Sequence, residues 1–218
     1  MRKFIKKQLR HFFAGPSAEL ARLCPTHLSL SVMRWMYQIQ LSVEQIDLIM
    51  KTIKSNSSCR FLVFGLGNDS LFWSTINREG LTVFLEDDQQ WFENIIKRTP
   101  FLTAFLVQYG TRRGDWKKLF ESPSLLQMAL PKDVEKTEWD VILVDAPAGW
   151  GDQTPGRMKS IYAASLLAKK TGDIFVHDCE REVEDAYCRY FFKSENLKVE
   201  IEHPEGWLRH YRMHACSD

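Results

Sequence analysis

Long hydrophobic runs are missing from this sequence. The longest apolar stretch, Phe61 to Gly67, falls far short of the ~20 residues a membrane-spanning helix requires, so no transmembrane segment is expected. No C-x-x-C pair occurs among the five cysteines, Cys24, Cys59, Cys179, Cys188 and Cys216. That removes a zinc knuckle and a disulfide framework, and leaves free, mostly buried thiols suited to a reducing compartment. An excess of one charge sign is also absent. With 29 basic and 28 acidic residues the net charge is +1, which supplies no field for gripping nucleic acid, so none is expected as a partner. There is no internal repeat and no low-complexity tract, and no apolar h-region with a small-residue cleavage site that would make a secretory signal.

What is present is an ordinary globular balance, 44% apolar and 26% charged over 218 residues. A chain of this size forms one domain with a short appendage and buries a core without staples. The first twelve residues, MRKFIKKQLRHF, hold Arg2, Lys3, Lys6, Lys7 and Arg10 and no acid, with Ile5, Leu9, Phe12 and Phe13 at helical spacing. This is either a solvated terminal helix or a basic amphipathic helix that contacts an anionic membrane surface. Residues 1–41 read as a partly helical lead-in broken by Gly15-Pro16 and Pro25, and residues 42–218 as the main domain.

That domain opens with a capping box, Ser42 and Gln45, ahead of the apolar face Val43, Ile46, Ile49, Met50 and Ile53. Then strands and helices alternate. The continuous apolar run Phe61–Phe64 predicts a strand buried on both faces of a parallel sheet. Further strands are expected at Thr82–Glu86, Phe105–Tyr109, Val141–Val144 and Asp173–Val176, with helices between them. Leu197–Glu202 and Trp207–Met213 are strand-like and separated only by His203-Pro204-Glu205-Gly206. So short a link forces an antiparallel hairpin. The expectation is a doubly wound α/β fold: a mostly parallel seven-stranded sheet, a C-terminal antiparallel hairpin and N-terminal helices. The hairpin separates the methyltransferase version of this architecture from the dinucleotide-binding one.

Ligands of such sheets sit at the carboxyl ends of the strands. Here those ends carry Gly65-Leu66-Gly67-Asn68-Asp69-Ser70, then Glu86-Asp87-Asp88, Tyr109-Gly110-Thr111, Asp145-Ala146-Pro147 and His177-Asp178. The glycine turn does not suit a pyrophosphate. Ser70 replaces the third glycine, Asp69 would repel a phosphate, and no Lys or Arg lies between Phe61 and Asn77. Glu86, nineteen positions after Gly67, stands where a carboxylate takes the hydroxyls of an adenosine ribose. The site therefore wants a cationic nucleoside without phosphates. S-adenosylmethionine answers that description, held by Asp69, Glu86, Asp87 and Asp145, with Tyr109 and Thr111 flanking the adenine. The competing reading of Glu86, Asp87 and Asp88 is that they cap the next helix, and Asp88 is assigned to that role.

The blocks VFGLGNDSLFW, VFLEDDQQW, VQYGT, WDVILVDAPAGW, PGRMKSIYAA, VHDCEREVED and LRHYRM, in this order, resemble the plant glucuronoxylan 4-O-methyltransferase and irregular-xylem family. The resemblance runs over about residues 42–213. It implies a class I S-adenosylmethionine methyltransferase that methylates the 4-hydroxyl of glucuronic acid on a glycan. It also implies a cofactor site at Gly65, Gly67, Asp69, Glu86, Asp87, Tyr109 and Asp145. Asn68 stands where the family has histidine. A Golgi location follows from the resemblance. The lack of an anchor and the free thiols point to the cytoplasm.

Methyl transfer to a sugar hydroxyl needs a base or a metal ion. Asp178 or His177 is the expected base, with Asp145 beside them. Asp145 and Asp178 holding a divalent cation is the alternative, and a helix N-cap is the structural one for His177-Asp178. Arg157 or Arg181 would clamp the uronate carboxylate, or form a surface ion pair. Trp150 would stack on a sugar ring or fasten its loop. Two further functions remain open: a non-catalytic relative assisting polysaccharide assembly, and a nicotinamide enzyme, which Asp69, Ser70 and the hairpin disfavour.

Overall fold

The computed structural model describes residues 16–214. The basic amphipathic segment at the N-terminus and Cys216 lie outside them. One seven-stranded sheet organises the chain, in the order β3-β2-β1-β4-β5-β7-β6. Its strands are β1 (Arg60–Phe64), β2 (Leu81–Glu86), β3 (Thr103–Leu106), β4 (Trp139–Val144), β5 (Ala168–His177), β6 (Leu197–Ile201) and β7 (Leu208–Arg212). The first five are parallel to one another. β7 runs antiparallel to both β5 and β6, as the short HPEG link requires.

Side chains of the central strands alternate between two cores. Phe61, Val63, Val141, Leu143 and Phe175 face one cluster, which also holds Ile46, Met50, Phe72 and Trp73. Leu62, Phe64, Ile142, Val144 and Val176 face the other, with Met158, Ile161 and Tyr187. This two-sided burial is why the strands read as unbroken apolar runs.

Residues 16–23 form helix α1, followed by α2 (His27–Tyr37) and α3 (Val43–Ser55). The lead-in shares the first cluster through Ala18, Ala21, Leu30, Met33, Tyr37 and Leu41. The Ser42 hydroxyl accepts from Gln45 N at 3.2 Å, and Gln45 Oε1 accepts from Ser42 N at 2.8 Å, closing the capping box. The buried Gln45 amide does more. Its Nε2 donates to the carbonyls of Gly206, at 2.9 Å, and Ile201, at 3.3 Å, tying α3 to the terminal hairpin.

The remaining helices are α4 (Ser70–Ile76), α5 (Gln89–Arg98), α6 (Trp116–Glu121), α7 (Lys132–Glu135), α8 (Met158–Leu167) and α9 (Glu182–Phe192). Two strands differ from the sequence reading. β3 lies earlier than Phe105–Tyr109, because its only sheet partner ends at Glu86, which pairs with Leu106. Val107 N still reaches Glu86 O, and then the backbone leaves the sheet. β5 begins at Ala168, paired with Trp139 ahead of a register shift. Among the described residues no helix is long and apolar enough to cross a membrane, and Cys24, Cys59, Cys179 and Cys188 are free thiols, all but Cys24 buried.

Candidate active site

The glycine turn leaves β1 with Gly65 at φ +126°. A side chain there would be strained by the backbone and would press on Ala146 Cβ at 3.3 Å, so glycine lets the ends of β1 and β4 come together. The turn is then fastened to β2. Glu86, 7% exposed, accepts from Leu66 N at 3.0 Å through one oxygen. Its other oxygen accepts from Asp87 N at 3.0 Å and Asp88 N at 2.9 Å. A carboxylate has about four acceptor sites, so roughly one remains open. Trp91, from α5, donates its indole N–H to Leu66 O at 2.6 Å and closes the turn from above. Asp88 caps α5 through Trp91 N, as assigned from the sequence.

Asp69 sits below the turn, accepting from Trp73 Nε1 at 2.8 Å. Burial, reinforced by the charge of Asp145, pushes its carboxyl up to about 6. Burial and the charge of Glu86 likewise push Asp87 up to about 6. Each of these carboxylates thus feels burial and a like-charged neighbour.

At the ends of β4 and β5 the geometry is tighter. His177 Nδ1 lies 3.0 Å from Asp145 Oδ1 and 3.8 Å from Asp178 Oδ1. Asp178 adopts φ +64°, a left-handed conformation that turns its carboxylate back over the strand end, where Arg157 holds it at 2.6 Å and Arg181 at 3.0 Å. Arg157 is buried, and its guanidinium also donates to the carbonyls of His177, Asp145 and Pro147. Burial works to raise the Asp145 carboxyl. The hydrogen bond and charge of His177, with Arg157 and Arg181, prevail and hold it below the usual range. Burial works to lower His177, and Asp145 overrides it and raises the imidazole.

Several sequence expectations need correction here. Arg157 cannot clamp a substrate, because its donors are spent on the protein's own carbonyls and carboxylates. Tyr109 is 2% exposed and packed in the second cluster, so its ring is not an open face for adenine. Thr111 donates to Pro155 O at 2.9 Å. With the Arg113–Asp152 pair at 2.8 Å it staples the 146–156 loop to the body. Of the two expected bases, the His177 imidazole is enclosed and the Asp178 carboxylate is held by two guanidiniums. Asp145, 26% exposed at its side chain, is the reachable member. Nor does His177-Asp178 form a helix N-cap, since α9 starts at Glu182 after Arg181. Arg181 remains partly exposed, and Trp150 is 78% exposed on the loop.

Two residues escaped the sequence reading. Glu184 lies in the first turn of α9, yet it is fully buried with neither oxygen hydrogen-bonded. Burial pushes its carboxyl up, against the pull of Arg157. Gly206, in the hairpin turn at φ +133°, leaves no room for a side chain: a Cβ would lie 2.5 Å from His177 Nε2 and 2.7 Å from Asp178 Oδ1. The HPEG turn carried the only sequence signal, and it announced a hairpin, not a lid on the histidine.

This strand order, with a reversed β7 inserted beside β5, defines the class I methyltransferase fold. Solved structures share it. A protein from Staphylococcus aureus assigned as a caffeoyl-CoA O-methyltransferase superposes with a TM-score of 0.54 at 14% identity, covering 84% of this chain and 92% of that one. The precorrin-6y C5,15-methyltransferase of Geobacter metallireducens GS-15 gives 0.51 at 12% identity, covering 80% and 89%. The chain belongs to the IRX15/IRX15L/GXM family, whose profile matches residues 44–129 and 117–211. Its relatives in Arabidopsis thaliana include glucuronoxylan 4-O-methyltransferase 2, 38% identical over 80% of this chain and 66% of that protein. Glucuronoxylan 4-O-methyltransferase 1 is 39% identical over 82% and 70%, and arabinogalactan O-methyltransferase 2 is 37% identical over 80% and 67%. This chain thus spans about two thirds of the length of these relatives.

Proposed function

We propose that this protein is an S-adenosylmethionine-dependent O-methyltransferase acting on a uronic acid hydroxyl of a glycan, the 4-hydroxyl of glucuronic acid. The observation that carries the reading is the gathering of carboxylates at the strand ends. Four carboxylates, Asp69, Glu86, Asp87 and Asp145, gather about a glycine turn, and burial with the charge of a neighbouring carboxylate pushes two of them up to about 6. The names of the relatives supply the acceptor class.

Bound there, S-adenosylmethionine supplies a sulfonium-activated methyl group. Glu86, with its remaining acceptor site, and Asp87 receive the ribose hydroxyls. Gly65 and Gly67 allow close approach of the backbone, and Asp69 offsets the ligand's positive charge. Asp145 accepts the proton of the acceptor hydroxyl as the O–CH3 bond forms and the S–CH3 bond breaks. His177 and Arg157 position that carboxylate from behind. Arg181 and Trp150 offer a cation and a flat apolar face to the uronate. Asp145, His177 and Asp178 have donor atoms within 4.8 Å of one another, oxygen and imidazole ligands that fit a divalent ion. Such an ion would share these carboxylates with Arg157 and would acidify the acceptor hydroxyl.

The deciding experiment incubates the protein with methyl-labelled S-adenosylmethionine and a panel of uronate-bearing and neutral oligosaccharides, with and without chelator. Label on the uronate acceptors alone is expected. No transfer to any of them refutes the reading, and loss of transfer with chelator assigns the metal.

A further inference from the structure

Two thiols stand together beside this centre. Cys179 follows Asp178 in the turn after β5, and Cys188 lies on the second turn of α9. Their sulfurs are 3.9 Å apart, and both residues are buried in the second cluster. We propose that this pair is a site of reversible oxidation, closing to a disulfide that ties α9 to the end of β5.

Three observations carry it. The first is distance. A disulfide bond is about 2.05 Å long, so each sulfur need travel only about 1 Å. The contact given up is a weak one, the Cys179 thiol donating to Val176 O at 3.3 Å. The second is that the backbone on both sides is fixed. Cys179 N donates to Trp207 O and Arg181 N to Asp178 O, each at 3.1 Å, which holds the turn bearing Cys179 against the terminal hairpin. Beside Cys188, the buried Tyr187 donates its hydroxyl to Trp116 O at 2.9 Å and anchors that stretch of α9. The third is charge. The buried Arg209 guanidinium acts on both sulfurs, the setting that marks reactive thiols. Burial pushes the Cys188 thiol up, and Cys179 adds to that against the pull of Arg209. Cys188 therefore stays protonated and is the second sulfur to react.

The oxidant is a hydroperoxide. Its O–O bond breaks as the Cys179 sulfur takes one oxygen, giving a sulfenic acid and releasing an alcohol, or water from hydrogen peroxide. The Cys188 sulfur then attacks the Cys179 sulfur. The S–S bond forms, the S–O bond breaks, and the oxygen leaves as water with the Cys188 proton. A dithiol returns the two electrons and restores both thiols. The bridge would close a short loop around the turn that presents Asp178 and Arg181.

The test treats the full chain with hydrogen peroxide, alkylates the remaining thiols after denaturation and maps the peptides by mass spectrometry. The exposed Cys24 is the internal control for oxidation. A Cys179–Cys188 peptide pair that disappears with dithiothreitol is expected. The oxidised protein should melt roughly 5–10 °C higher than the reduced one. Cys188→Ala, and Cys179→Ala as a second variant, should lose that response. Both thiols still alkylated under conditions that oxidise Cys24 overturn the inference. So does a bridge that leaves Tm unchanged or lower, because a poised pair closes without strain. The wild-type chain alone decides these outcomes, whether or not either variant folds.

Discussion

Replacing Glu86 by glutamine separates its two duties, because the change keeps shape and removes one acceptor oxygen. In the native protein both oxygens are engaged, at 3.0 Å to Leu66 N and at 3.0 and 2.9 Å to Asp87 N and Asp88 N. A glutamine oxygen can serve one of these two groups, and its NH2 must then face a backbone N–H at the other. A buried donor left without an acceptor costs about 1–3 kcal/mol. For a chain of this size about 2 kcal/mol corresponds to a fall in Tm of roughly 4–8 °C. The ribose contact is lost separately. An acceptor bond to a charged group contributes about 1.5–3 kcal/mol, so the Kd for S-adenosylmethionine should rise by about 30-fold. Calorimetry well below the variant's Tm measures the second effect without the first. A Tm that falls while Kd stays within about twofold would make Glu86 a structural brace only, and the ribose assignment would be wrong.

Other consequences are equally direct. Arg157→Met leaves the Asp145 and Asp178 carboxylates without their buried counter-ion; removing one partner of such a pair costs about 3–5 kcal/mol, so Tm should drop by roughly 10 °C or more, and an unchanged melt would contradict the packing described. In the proposed complex Asp69 and Asp87 meet the cationic ligand in their ionised forms, and burial pushes both carboxyls up to about 6. Protonation therefore competes with the ligand as pH falls, and affinity should drop about tenfold per carboxylate between about pH 7 and 5; a flat calorimetric profile refutes the assignment. Asp145→Asn at saturating cofactor should lower kcat by at least about 100-fold, and full turnover would return the proton to another group. Gly206→Ala forces a methyl group onto His177 and should lower Tm, with soluble wild-type-like melting as the contrary result.

The architecture was legible because its signals are local. β1 and β4 announce themselves by apolar runs buried on both faces, α3 by Ser42 and Gln45, and the hairpin by a link too short for a helix. β3 was misplaced because the end of an edge strand depends on its partner. The place of Glu86 at the end of β2 beside the glycine turn was also readable, since it follows from strand end plus spacing. What could not be read was direction. Arg157, twelve positions after Asp145, gives no hint that its guanidinium folds back onto the carbonyls of two strands. Tyr109 and Trp150 are both aromatic residues at strand-end loops, yet one is packed in the core and the other stands in solvent. Charge partners are set by tertiary approach, so nothing local announces that Arg157 and Asp178 hold each other.

The Gln45 amide has a wider consequence. One side chain near the start of the domain grips two carbonyls near its end, and the turn it grips carries the glycine that roofs His177. During synthesis the reactive corner stays unfinished until the last strands emerge and dock against a helix made much earlier. On the methyltransferase reading, completion of the site is thus a late event that waits for the last strands to dock, and a nick or truncation in either distant segment should silence methyl transfer.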